Sequence, residues 1–317
     1  MSGGHAHHDH EHHHAHAHAH GHGHHHHHAP PADGSRRWLI GVALNGLFVL
    51  IEGGAGILGH SMALLADAGH NLSDVLALAM AGAAAWLARR PSGPRRTYGF
   101  GKATVLAALA NAVILVFACG FIAREAIERL SAPTAPSSGL MIGVALAGVV
   151  VNGLTAMLFL RGRSDDLNVR SAFLHMAADA GISAGVAVAG GLIILTRAAW
   201  IDPAVSLAIL AVILFGSWEV LKEAIDLALD TAPSAVDMGE VRAFLAACPG
   251  VNAVHDLHVW PLSTTEIALT AHLVRAGGGG DEFLKGVCRE LNHRFHIGHA
   301  TLQVEIESLE DCEELHA

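Results

Sequence analysis

The chain has 317 residues, 52% hydrophobic and 15% charged, with a mean hydropathy of +0.41 and a formal net charge of −10. Soluble domains carry about 25% charged residues, so this composition excludes an ordinary soluble fold and points to a membrane protein with a soluble part. The absence of a basic stripe with interleaved aromatics excludes a nucleic-acid binder, and the four cysteines, Cys119, Cys248, Cys288 and Cys312, form no CxxC pair, which argues against a disulfide framework or a zinc ribbon.

Residues 1–37 form a His-rich, low-complexity tail. HAHHDHEHHHAHAHAHGHGHHHHH cannot build a core, is expected to be disordered, and has no signal-peptide h-region. Its HExxH match, His10 to His14, is nearly inevitable in such a tract and carries no weight. Interspersed Ala, Gly, Asp and Glu favour a natural metal-binding tract over an affinity tag.

Six apolar segments follow, near 38–58, 62–88, 103–123, 139–160, 172–196 and 201–226. Each reaches the roughly 20 residues that a helix needs to cross a bilayer. A tight turn at Gly59-His60-Ser61 separates the first two, and RRPSGPRRTYG and SAPTAPSSG mark later loops. Lys and Arg concentrate on one side: Arg36 and Arg37, then Arg89, Arg90, Arg95, Arg96 and Lys102, then Arg161, Arg163 and Arg170. The opposite loops hold Arg124 and Arg129, partly offset by Glu125 and Glu128, and Arg197. Both termini are therefore expected in the cytoplasm.

From about residue 231 the composition changes, giving expected units of 38–230 and 231–308, with 309–317 a flexible acidic tail. DMGEVRAFLAACPG reads as a helix. VNAVHDLHVWPL and TEIALTAHLVR read as strands joined at Ser263 and Thr264. DEFLKGVCRELNHRF reads as a helix and ATLQVEIE as a strand. The order αββαβ predicts a small α+β layer with helices on one sheet face.

Titratable residues inside apolar helices are costly and mark function. In the second helix, ADAGHNLSD places His70 and Asp74 at i,i+4 on one face, with Asp67 three residues before His70. In the fifth, LHMAADAG repeats the spacing with His175 and Asp179. One His–Asp pair can be a structural hydrogen bond. Two matched pairs on separate helices point to one shared site with a tetrahedral N2O2 donor set that suits zinc. Two carboxylates balance a divalent cation, and the emptied site would take up protons, as an antiporter requires. Bis-His haem ligation by His70 and His175 leaves both aspartates unexplained. Asn45 and Glu52, i,i+7 on the first helix, and Asn152 on the fourth are read as interhelical hydrogen-bonding groups. Asp67 and Asn45 are assigned supporting roles, Asp67 orienting a ligand. Asp226 and Asp230 at the end of the sixth helix are read as solvated charge.

SMALLADAGHNLSD, LHMAADAG and VHDLHVW together resemble the cation diffusion facilitator family, in its zinc-transporting type, over residues 36–308. The resemblance implies that His70, Asp74, His175 and Asp179 are transport ligands. It also implies a homodimer with a ferredoxin-like cytoplasmic domain, exporting metal from the cytoplasm in exchange for protons. Zn2+ is the expected substrate, with Co2+, Cd2+ or Ni2+ sharing these ligand preferences. No enzyme is expected, since there is no nucleophile–base pair or phosphate loop, and a bacterial inner membrane is the expected location. A membrane-anchored metal sensor or buffer without transport is the alternative function.

Some members of that family carry metal ligands in the loop after the second helix; ARRPSGPRRTYG has no His or Asp, so none is expected there. RGRSDDLNVR likewise lacks the His-rich loop of other members, and the N-terminal tail is a candidate replacement reservoir. The resemblance also places His255, His272, His299 and Glu305 at regulatory metal positions; ordinary surface histidines are the competing reading. His255 and His258 should point to opposite faces of their strand unless a bulge intervenes. In the acidic tail, Cys312 and His316 at i,i+4 are a further candidate pair, against a plain flexible tail.

Overall fold

A computed structural model describes residues 36–159 and 167–307 of the chain. Six helices come first: α1 (Arg36–Leu58), α2 (Met62–Ala88), α3 (Lys102–Ser131), α4 (Ser138–Phe159), α5 (Leu167–Thr196) and α6 (Ile201–Ala228). The last five are long and apolar enough to span a membrane, and α1 adds a shorter apolar stretch, Asn45–Leu58. Large apolar side chains project outward from the bundle, with Phe117 80% and Phe215 87% exposed. Helices apolar on their outer as well as inner faces fit lipid rather than water. Between helices the packing relies on small residues such as Ala63, Ala66, Ala145 and Ala189, all buried, which let backbones approach closely.

Several helices depart from the expected bounds, α5 beginning five residues early at Leu167. α3 runs eight residues past the expected end because IAREAIERLS continues as an amphipathic helix laced by the Arg124–Glu128 and Arg129–Glu125 pairs. Arg129 also donates to the His60 carbonyl at 2.8 Å, pinning the α1–α2 turn. At the other end, Arg36 and Arg37 begin α1 rather than closing the tail. The His-rich tail up to residue 35, Arg161 and Arg163, and Cys312 and His316 lie outside the described residues.

The start of α2 is held from another helix. Ser61 caps it, its hydroxyl accepting from Leu64 N at 3.2 Å. Asp202 on α6 accepts from Ser61 Oγ at 2.6 Å, Met62 N at 2.6 Å and Ala63 N at 3.2 Å. A buried carboxylate thus satisfies orphan helix donors and complements the positive end of the α2 dipole.

The remaining elements are α7 (Met238–Ala246), β1 (Ala253–Pro261), β2 (Ile267–Val274), α8 (Asp281–Phe295) and β3 (Ile297–Glu305). This is the expected αββαβ order. The sheet runs β1-β2-β3, antiparallel at the first pairing and parallel at the second. Val241 and Leu245 from α7, Leu269 and Leu273 from β2, and Leu291 and Phe295 from α8 form its core on one sheet face. The domain meets the helices where Thr264 N donates to Thr104 Oγ1 at 3.1 Å and Tyr98 stacks edge-on to His299 at 5.4 Å. Lys102 pairs with Asp230, which stays solvent-exposed just past the end of α6, and donates to the Leu227 carbonyl.

Candidate metal centre

α2 and α5 run antiparallel, and their polar stripes meet rung by rung. His175 Nε2 lies 3.1 Å from Asp74 Oδ2. One turn along, His70 Nε2 lies 3.5 Å from Asp179 Oδ1. Within each helix, His70 Nε2 to Asp74 Oδ2 and His175 Nε2 to Asp179 Oδ2 are both 3.7 Å. Donors bound at 2.0–2.2 Å to a tetrahedral zinc lie about 3.3–3.6 Å apart. His70, Asp74 and His175 each offer one ligand atom within 4.8 Å of the others, and Asp179 approaches the two histidines through different oxygens. Asp179 is 1% exposed, and neither of its oxygens has a hydrogen-bond partner among the described residues. A buried carboxylate held only against two imidazoles is a fitting seat for a cation.

Accessibility is graded along the pair. Asp74, nearer the end where the αββαβ domain docks, is 32% exposed, whereas Asp179, a turn deeper, is buried. Below them a third rung closes the stripe: Ser183 donates to Asp67 Oδ2 at 2.9 Å. Asn71 Nδ2 donates to Asp67 Oδ1 and to Glu52 Oε2, both at 3.3 Å, carrying the network to α1. Gly148 on α4 makes room for this rung, since a Cβ there would stand 2.8 Å from Ser183 Oγ and 2.9 Å from Phe48.

Of the residues expected to support the site, Asp67 stands in the network beneath it. Asn45 does not join: its Oδ1 is buried without a hydrogen-bond partner among the described residues, as is Asn152 Nδ2. Ser183, Asn71 and Asp202 were not legible as site or scaffold residues. Ser183 did carry a signal, standing four residues past Asp179 on the same helical stripe.

The αββαβ domain gathers a second group on the sheet face away from its core. His255 Nε2 lies 3.1 Å from Glu305 Oε2, and His272 Nδ1 lies 3.0 Å from Glu305 Oε1. One ligand atom from each of the three falls within 4.8 Å of the others. His299 is not among them. The parallel register pairs His299 with Ala268 and Gln303 with His272, so His299 is four residues, about 13 Å, along β3 from the level of His272. It packs on Tyr98 instead. The expected opposition of His255 and His258 is also corrected. β1 bulges between them, so His255 pairs with His272 and His258 with Thr270, and both lie on one face.

These features define an integral membrane protein with paired His–Asp side chains meeting on two spanning helices and a small α+β domain. Residues 38–227 match the family described as the cation efflux transmembrane domain, and residues 233–307 match the cation efflux protein cytoplasmic domain. The chain belongs to the cation efflux, or cation diffusion facilitator, family in its zinc type, a family of transporters rather than enzymes. It is 36% identical to the metal cation efflux system protein CzcD of Cupriavidus metallidurans, over 89% of this chain and 90% of that one. It is 36% identical to the zinc transporter ZitB of Escherichia coli, over 87% and 89% of the two chains. A cadmium, cobalt and zinc/H(+)-K(+) antiporter of Bacillus subtilis is 32% identical, over 82% and 86%.

Proposed function

We propose that the chain exports zinc, or a divalent cation of similar ligand preference such as cadmium or cobalt, from the cytoplasm in exchange for protons. The observation that carries this reading is the meeting of His70, Asp74, His175 and Asp179 across α2 and α5 at 3.1–3.7 Å. Names of relatives that include zinc transport and proton antiport support it. Two imidazoles and two carboxylates replace the hydration shell and cancel the charge of a divalent ion. The partly exposed Asp74 receives the ion from the side of the cytoplasmic domain. α5 packs chiefly against α4 and touches α2 over a short stretch, so an α4–α5 shift can part the two half-sites and open them to the far side. Protons taken by His and Asp then keep the emptied carboxylates from facing each other as buried anions.

The working unit is a homodimer in the bacterial plasma membrane with both termini in the cytoplasm, supported by the cytoplasmic-domain match and the Lys/Arg bias of the loops. His255, His272 and Glu305 bind a regulatory cation in that domain, supported by their clustering. A deletion strain separates export from sensing. Loss of zinc tolerance with raised cytosolic zinc is the expected result; altered gene expression with unchanged efflux would favour a membrane-anchored sensor.

A further inference from the structure

We infer that Asp256 is a positioning residue for the cytoplasmic cation site, fixing the His272 ring so that Nδ1 faces the ion beside His255 and Glu305. This rests on the reading above that the His255–His272–Glu305 cluster binds a cation.

The sequence offers no obvious reason to single out Asp256. In a regular strand it would sit on the face opposite its neighbour His255, turned toward the helices. The bulge changes this: two residues, Asp256 and Leu257, stand where Ala271 alone stands on β2. Leu257 packs toward the core and Asp256 turns to the cluster. Asp256 adopts the left-handed region, φ 49°, which Asp tolerates better than most residues. Its carboxylate stands between two histidines, 2.8 Å from His258 Nε2 and 3.5 Å from His272 Nε2.

His272 is thus flanked by two acids. Nδ1 faces Glu305 Oε1 at 3.0 Å and Nε2 faces Asp256 Oδ2 at 3.5 Å. Nδ1 is buried and makes no hydrogen bond among the described residues. A neutral imidazole has one N–H and one lone pair. With the N–H on the Asp256 side, the lone pair of Nδ1 points to where His255 and Glu305 converge. A carboxylate behind a metal-bound histidine is the usual device for fixing ring orientation and tautomer. His258, on the same face through the bulge, holds Asp256 from the solvent side.

Zinc-dependent hydrogen–deuterium exchange of the full-length chain in detergent tests this, with free zinc set by a chelator buffer so that other sites do not distort the titration. Zinc should slow exchange in peptides covering residues 253–261 and 267–274. Asp256→Gly accepts the left-handed backbone but lacks the carboxylate, so it should raise the half-maximal zinc concentration about 10- to 100-fold. Asp256→Asn keeps an acceptor oxygen and should stay near wild type. An Asp256→Gly midpoint equal to wild type overturns the proposal. If Asp256→Gly loosens β1 without zinc, His258→Ala, which removes the hold on Asp256, carries the test: a raised midpoint supports it and an unchanged one overturns it. His255→Ala and Glu305→Ala should abolish the zinc effect. If they do not, the cluster reading itself falls, and the positioning role falls with it.

Discussion

Ser183 donates to Asp67 at 2.9 Å across α2 and α5, one turn beyond the approach of His70 to Asp179. The polar contact between these helices is therefore three rungs long, and only the upper two hold candidate ligands. The lowest rung sets how the two half-sites align. Ser183→Ala removes a donor from a buried carboxylate, which should lower stability by about 1–2 kcal/mol. Thermal unfolding in detergent checks the stability. Zinc flux should show a raised KM with a smaller change in maximal rate, because ligand alignment suffers while the ligands remain.

Asp202 locks the start of α2, just before the Asp67 rung. Asp202→Ala strips three donors of their acceptor and should destabilise the bundle by about 2–4 kcal/mol, with Asp202→Asn retaining part of the loss-free state through its remaining oxygen. The thermal midpoint of monodisperse protein in detergent, followed by size exclusion, measures both.

His70→Asp converts two imidazoles and two carboxylates into one imidazole and three carboxylates. Harder oxygen donors relax the preference for zinc, so the variant should gain relative transport of manganese or cadmium. Uptake ratios for the three metals in liposomes measure it; ratios unchanged from wild type would count against a ligand role for His70.

Burial pushes the Cys248 thiol up from its ordinary range, and its Sγ stands 3.5 Å from the Phe244 carbonyl. The folded thiol stays neutral where the unfolded one ionises, near pH ~8.5. Its stabilising contribution is therefore complete below that pH and is lost as pH rises through the folded value. Alkylation followed by mass spectrometry should find Cys248 lagging behind an unfolded control between neutral pH and about pH 9. Cys248→Ala should remove this part of the alkaline loss of stability.

The two His–Asp pairs that meet across α2 and α5 were legible because side chains at i,i+4 share a helical face whatever surrounds them. His70 with Asp74, and His175 with Asp179, needed only that periodicity. Ser183 and Asp202 were not legible, because their partners lie 116 and 141 residues away and depend on how helices pack. Register explains the cytoplasmic misreading. Strand alternation puts His255 and His258 on opposite faces, and one bulge residue reverses that, bringing in Asp256. β3 begins earlier than the expected strand and takes in His299, and its parallel pairing with β2 sends His299 away from His272. The continuation of α3 was hidden because apolarity ends before the helix does, and ion pairs carry the last turns.

The central claim is metal-for-proton exchange through the four residues on α2 and α5. The most direct measurement is zinc uptake into liposomes of purified protein with an imposed acid-inside pH gradient, read together with lumenal pH. Wild type should accumulate zinc while the lumen loses protons, and an ionophore that collapses the gradient should stop accumulation. Asp179→Ala and His70→Ala should each abolish both fluxes. Zinc accumulation that persists in either variant, or that is indifferent to the gradient, would contradict the account.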